Sequence, residues 1–432
     1  MYLFFIRDFN DIDHITPVVW KMKQGNHAVA VYCINPEYDI QSDYRLNFLK
    51  ELGVKVDFIY NAFDQLLGWR HRIIHFLFLR CLYIRKMFDH DDPRKISFLS
   101  KALSRRAKKT GFWLYDIMRS KYYDINSAQK FLERSQAKVL CFDWVRPRKY
   151  IVKSFLKAAR AMSIPTLALP HGVFLYTNDF VTTRSKKEGQ FERYNDFDYV
   201  IVQNRLFKET ISKSGVGGEK IFVLGSARYC KEWMAQNNEM LPRKIKLTDD
   251  NSGKLKVVFM TTMPHYRIDV ERMLETFNLL ANIDGIEVKF KPHTRTGHEA
   301  TMYANLPLAN VADVSSVELC EWADVTLVIA SSIIIETLIR RKPVLYLQYL
   351  HENTTEYEKM GACWVINSET DLKRALLSLE DGQNNLPYTD KNIDSWLTEI
   401  IYGGRRERDV LGDYEKFIVD CAVETRMQAS GI

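Results

Sequence analysis

Short apolar runs alternate with longer amphipathic stretches along most of this 432-residue chain, and that alternation is its tightest constraint. Residues 2–6, YLFFI, read as a buried strand; 12–24 reads as a helix stopped by Gly25; 27–34, HAVAVYCI, is the next strand. A strand–helix–strand unit of this length makes neighbouring strands parallel. The theme repeats at 54–60, then at 137–143, 165–172, 198–204 and 220–229, with a helix at 149–162 and another ending at Gly215. It starts again at 255–262, with strands at 285–293, 323–330 and 343–349 and helices over 270–282, the VELCEW stretch and 332–341. Between the two sets, 237–254 is polar and carries Pro and Gly, as a linker does. The expectation is an α/β protein of two doubly wound parallel-sheet domains facing across a cleft, where open sheets bind ligands at the carboxyl ends of their strands.

The boundaries that follow are 1–245 for the first domain, 246–400 for the second and a helical tail over 401–432. A length near three times the roughly 150 residues of one domain agrees. Seven cysteines stand singly, without the close pairs of a zinc site or disulfide framework, which suits reduced thiols. The first residues lack a secretory signal, and no window reaches the roughly 18 apolar residues of a membrane span. The chain is therefore expected in the cytoplasm. An insert at 66–122 stands apart: between Arg70 and Lys121, fourteen Lys or Arg face four Asp, interleaved with aromatics such as Trp69, Phe76 and Trp113. Such a block either lies peripherally on the cytoplasmic face of an anionic inner membrane or is a solvated helical excursion. No nucleic-acid module is present, so no nucleic-acid partner is expected.

Polar residues gather where strands end. Lys291, Pro292 and His293 close one strand of the second set and suit a nucleotide phosphate, or are simply solvated. Ser331 and Ser332 precede IIIETLIRR; hydroxyls beside a helix start suit phosphate, and equally make an ordinary N-cap. Glu336 can cap that helix, pair with Arg340 or reach a ribose. In the first set, His171 and Gly172 end a strand in a turn, and Ser226 and Arg228 follow another; Arg228 can grip a carboxylate or phosphate. Glu232, Asp143 and Asp179 are candidate carboxylates for acid–base or nucleophilic work, with Arg146 beside them. Metal binding is not expected: the acidic run at 89–92 follows no strand. The absence of a Walker loop and of GxGxxG after the first strand weakens ATPase and dehydrogenase readings.

In order, PHG, LGSARYCKEW, KPH and the Ser-Ser turn before IIIETLIRRKPVLYL resemble bacterial surface-polysaccharide glycosyltransferases, nearest the β-Kdo transferases of capsule and O-antigen assembly. The resemblance runs from about 137 to 350. It implies the GT-B architecture, two Rossmann-like domains, and a Kdo transfer from CMP-Kdo to a lipid-linked or polymeric glycan without metal or other cofactor. It places the cytidine nucleotide on Pro292-His293, whose order is reversed from the family's His-Pro, and on Ser331 and Ser332. It sets Pro170-His171-Gly172 toward the sugar, and for a retaining enzyme makes Glu232 the first candidate nucleophile, with Asp143 and Asp179 as rivals. Other donors stay open: a sialic-acid-like CMP sugar, CDP-glycerol, or a UDP- or GDP-hexose. So do a non-catalytic glycan-binding subunit and a sugar-nucleotide epimerase.

Overall fold

A computed structural model describes residues 1–89, 113, 117, 120–143, 151–173, 175, 191–244, 253–262, 266–293, 306–382 and 385–430. Its first sheet holds seven strands: β1 (Tyr2–Ile6), β2 (Val29–Cys33), β3 (Lys55–Phe58), β4 (Val139–Asp143), β5 (Thr166–Leu169), β6 (Tyr199–Val202) and β7 (Ile221–Val223). The second holds β8 (Leu255–Met260), β9 (Ile286–Lys291), β10 (Ala309–Asn310), β11 (Val325–Val328), β12 (Val344–Leu347) and β13 (Trp364–Ile366). Their orders are β3-β2-β1-β4-β5-β6-β7 and β10-β9-β8-β11-β12-β13, and every pairing within these sheets is parallel. In both sheets the order reverses beside the first strand, between β1 and β4 and between β8 and β11. Such a switch point opens a crevice at the strands' carboxyl ends.

Helices cover both faces. With the first sheet run α1 (Phe9–Gln24), α2 (Tyr44–Glu51), α3 (Ile59–Leu67), α4 (Trp69–Asp89), α5 (Ile125–Arg134), α6 (Val152–Ala161), α7 (Arg205–Lys213) and α8 (Lys231–Met240). With the second run α9 (Val270–Ala281), α10 (Ser316–Trp322), α11 (Ile334–Ile339), α12 (Glu356–Lys359), α13 (Glu369–Glu380) and α14 (Asp390–Tyr402), and α15 (Val410–Ser430) ends the chain. The strands are apolar throughout because both faces are buried. In β1, Leu3 and Phe5 enter one core while Tyr2, Phe4 and Ile6 enter the other. In β8, Val258 and Met260 are divided from Val257 and Phe259 in the same way.

The terminal helix does not stay with the second sheet. Leu411, Tyr414 and Ile418 of α15 are buried in the first sheet's core beside α1. The Tyr414 hydroxyl donates to the Gly225 carbonyl at 3.0 Å, and Phe417 packs on Phe222 with ring centroids 4.7 Å apart. Thus the chain crosses between the sheets twice, once through α8 and once between α14 and α15.

Three sequence expectations are redrawn. The strand expected over 220–229 stops at Val223, because Gly225 turns the backbone to φ +88° and a Cβ there would sit 2.6 Å from the Ile401 carbonyl. The expected linker at 237–254 starts late: α8 continues to Met240, anchored by Trp233 against Trp20 of α1. The helix expected over 332–341 is the shorter α11, preceded by a turn in which Ile335 N–H donates to the Ser332 carbonyl. Of the insert, α4 is helical as expected, and most of 90–119 lies outside the described residues.

Candidate active site

At the first switch point the backbone leaves β1 through Arg7, and α1 begins at once, its N-cap Asp8 accepting from Asn10 N–H. The first turn of α1 therefore carries Asp11 back over the strand ends. Arg7 Nε bonds Asp11 at 2.8 Å and its Nη2 bonds Asp143, the last residue of β4. His171, just beyond β5, sets Nδ1 3.0 Å from Asp143 Oδ2 and 3.4 Å from Asp11 Oδ1. Both carboxylates are fully buried, whereas the His171 side chain stays about a third exposed (34%). With Nδ1 taken by the carboxylates, Nε2 is the ring nitrogen left for a ligand.

The electrostatics follow from this packing. Burial works against a charged His171, but the Asp143 charge and the hydrogen bonds with Asp11 and Asp143 outweigh it and raise the imidazole to about 10. Burial, then the nearby Asp11 charge, pushes Asp143 up to about 6. Asp11 resists the same burial through its bond with His171 and the Arg7 charge, and is held at about 2. At neutral pH the ring is thus an imidazolium fixed by two acidic groups. Asp11, Asp143 and His171 offer ligand atoms within 4.8 Å of one another, the spacing of a metal site. The Arg7 guanidinium already supplies the positive charge there, so a cation would have to displace it.

A second buried network lies behind the cleft. Arg45 of α2 bonds Asp13, and it bonds Asp43 at 2.6 Å from Nη2. The other oxygen of Asp13 holds Arg228 Nη1 at 2.8 Å, and the Arg228 guanidinium lies 4.9 Å from the Tyr229 ring centroid. The Tyr229 hydroxyl reaches the Ser332 carbonyl at 3.5 Å, from one sheet's side to the other's.

At the second switch point Thr261 follows β8, Lys291 ends β9, and Ser331 and Ser332 lie just beyond β11. In one cavity of about 130 Å³, Phe9, Asn10, Asp13 and Arg228 from the first sheet's side face Thr261, Lys291, Pro292, His293, Ser331 and Ser332; the Arg7, Asp11, Asp143 and His171 cluster lies outside its lining. A neighbouring cavity of about 330 Å³ adds Glu336, Tyr44 and Asn237 while sharing Arg228 and Lys291. The buried Thr261 hydroxyl has no hydrogen-bond partner among the described residues, a donor at the cavity wall.

Placement separates the sequence candidates. Arg228, Lys291, Pro292, His293, Ser331, Ser332 and Glu336 line the cleft. His171 and Asp143 meet at the first switch point. Lys291 is tied down, its ammonium donating to the Ala312 carbonyl at 3.0 Å and to the Val314 carbonyl, and burial lowers it to about 8. Glu336 realises the pairing with Arg340, at 2.7 Å. The Ser pair does not cap α11 as a side-chain N-cap would, since Ile333 holds that position.

Glu232 is not brought to the others. It pairs with Lys21 at 3.1 Å, ten residues further along α1 than Asp11, about 15 Å of helical rise. Ser226 lies in the core, fully buried, its backbone N–H donating to the Ile401 carbonyl at 2.7 Å, so a substrate contact does not fit its surroundings. Gly172 needs no left-handed backbone, and a Cβ there would meet open space. Asp179 and Arg146 lie outside the described residues. Sequence reading passed over Arg7, Asp11, Asp13 and Thr261. The signal was available for Arg7 and Thr261, which directly follow β1 and β8.

No protein-family model matches the chain, and no curated protein matches it. Solved structures do. A Listeria monocytogenes protein provisionally identified as a UDP-N-acetylglucosamine 2-epimerase is similar at 11% identity, over 99% of this chain and 96% of that one, with a TM-score of 0.54. The UDP-GlcNAc 2-epimerase of Methanocaldococcus jannaschii, solved with UDP-GlcNAc and UDP, is similar at 14% identity over 91% and 97%, with a TM-score of 0.52. That of Neisseria meningitidis, bound to UDP-GlcNAc, is similar at 12% identity over 98% and 99%, with a TM-score of 0.50. At such identities the likeness is one of fold, and the fold is of the GT-B type.

Proposed function

We propose that the protein is a glycosyltransferase acting on a nucleotide-activated sugar, with the nucleotide seated on the second sheet and the sugar against the first. The observation that carries this reading is the cavity in which Phe9, Asn10, Asp13 and Arg228 from the first sheet's side face phosphate-suited groups of the second. One side offers Thr261, Ser331, Ser332 and His293, groups suited to a nucleotide phosphate. On the first sheet's side, at the strand ends beyond that lining, stands an imidazolium, His171, fixed by Asp143 and Asp11. Glycosyl transfer expels a phosphate oxygen, and preorganised positive charge with hydrogen-bond donors stabilises the charge that builds there. His171 Nε2–H is the group to donate to it, and Asp143, buried behind the ring, orients it rather than attacking the sugar.

Uridine donors head the list, because the similar epimerases were solved with UDP-GlcNAc and UDP. The ordered motifs keep CMP-Kdo as the cytidine alternative, with Arg228 available to its carboxylate. Thermal-shift titration with UDP, CMP, CDP and GDP, with and without EDTA, separates these donors. One nucleotide should raise the unfolding midpoint by mass action, unaffected by EDTA, and Ser331→Ala with Ser332→Ala should remove most of the shift. No shift with any nucleotide would sink the proposal and leave a non-catalytic glycan-binding protein. Epimerisation of UDP-GlcNAc without an acceptor would replace it by the epimerase reading that those similar structures favour.

The acceptor is proposed to be a lipid-linked or polymeric glycan presented at an anionic membrane. On α4, Trp69, Ile73, Phe76 and Leu77 recur at helical spacing and are exposed, with Arg70 over the Trp69 ring and Arg80 over the Phe76 ring. An apolar stripe flanked by arginines suits a lipid surface. Among the described residues no helix is long and apolar enough to cross a membrane. Trp69→Glu with Phe76→Glu should lower co-sedimentation with phosphatidylglycerol vesicles at least tenfold. Equal sedimentation of variant and parent would remove α4 from the membrane-binding account.

A further inference from the structure

A cavity larger than those of the cleft lies apart from it. It lies where the chain passes between its two sheets, and both crossings line it. Lys231, Met234 and Ala235 come from α8 on the first crossing; Tyr402 and Arg406 come from the second. Its volume of about 550 Å³ falls within the range of small-molecule sites. The floor is apolar, built by Met234, Ile339, Leu397, Ile401 and Tyr402.

Charge on the rim is unbalanced. Arg340 is paired with Glu336 and Glu321, and Arg341 with Asp390 and Asp394. Lys231 and Arg406 have no ion pair among the described residues, and nor does Glu407 on the same rim, which leaves the unpaired groups with one net positive charge. Two of the rim residues, Arg341 at φ 56° and Glu407 at φ 59°, hold left-handed backbone, the kind of local strain that gathers at ligand clamps.

We propose that this hinge cavity is a second binding site, for an organic anion with a compact apolar body and one terminal phosphate-like group. The apolar part would rest on the floor, and the anionic group would lie between Lys231 and Arg406, one cation from each crossing. Occupancy would tie the two crossings together, and through Arg340 and Glu336 the site touches the side chain that lines the cleft. The site stands whether or not the glycosyltransferase reading holds, since it uses none of the cleft's own phosphate contacts.

The test uses the full chain and 1-naphthyl phosphate, followed by isothermal titration calorimetry. One molecule should bind per chain, and 1-naphthol, lacking the phosphate, should bind at least tenfold more weakly. Ala235 is exposed on α8, so Ala235→Trp should fill the cavity without disturbing the core and should abolish binding. Lys231→Gln with Arg406→Gln should weaken it at least tenfold, while Ser331→Ala with Ser332→Ala should leave it unchanged. An unaltered unfolding midpoint shows that each variant is folded. No binding by the parent protein, or binding that survives Ala235→Trp, overturns the proposal.

Discussion

Replacing His171 with alanine is expected to lower turnover of the nucleotide sugar by roughly 10²- to 10⁴-fold, the usual contribution of a positioned acid or base. Nucleotide binding should persist, because the phosphate-facing groups sit on the other sheet. The pH profile carries the mechanistic content. In the parent protein the ring stays charged up to about 10, so activity that depends on the imidazolium falls only above that pH. Asp143→Asn removes the largest charge that raises the ring, so the alkaline limb must move to lower pH. The same sign governs stability: the contribution of the raised ring is complete below its ordinary value near 6.5 and fades as pH rises through about 10, while protonation of Asp143 near 6 removes its share of the pairing on the acid side. Turnover unchanged in His171→Ala, or an alkaline limb that moves upward in Asp143→Asn, would remove His171 from the chemistry.

The second large effect concerns folding. Arg45→Leu should cost about 3–5 kcal/mol, the range for breaking a buried ion pair by removing one partner. Arg45 is fully buried between Asp13 and Asp43, with Phe9 against its guanidinium at 4.3 Å, so its loss strands the buried Asp43 carboxylate and leaves Asp13 only Arg228. Urea unfolding should show a lowered midpoint, partly recovered when Asp43→Asn removes one stranded charge. The acid limb adds a check. Despite burial, the Arg45 charge and hydrogen bonds hold Asp43 below the ordinary carboxylate range, so it stabilises above that range and loses this as pH falls. Arg45→Leu should flatten that part of the stability profile. A midpoint within experimental error of the parent's would show that the network contributes nothing net. Arg228 shares Asp13, so the variant also tests how firmly this network positions the cleft.

The burial of both sheet faces, the parallel pairing and the existence of two sheets were legible in the chain because both-face burial leaves an unbroken apolar run at each strand. Strand ends could be read too, which is why His171, Asp143, Ser331, Ser332 and His293 were found at the carboxyl edges. Helix α8 was hidden inside a polar stretch, because Trp233 anchors it only through contact with Trp20 and Phe48, residues far away in sequence. Glu232 was the first candidate nucleophile only through the resemblance; the residues alone favoured a salt-bridge partner, and it pairs with Lys21.

What the chain determined by itself is local: apolar periodicity sets the strands, glycine sets the breaks, and short-range order places polar groups where strands stop. Only the tertiary structure decided which of those groups meet. Arg7, Asp11, Asp143 and His171 are spread over more than 160 residues, and strand order alone brings β1, β4 and β5 side by side. Their charges then became interdependent, since burial makes each group's ionisation depend on its neighbours, and no reading of one segment at a time contains that.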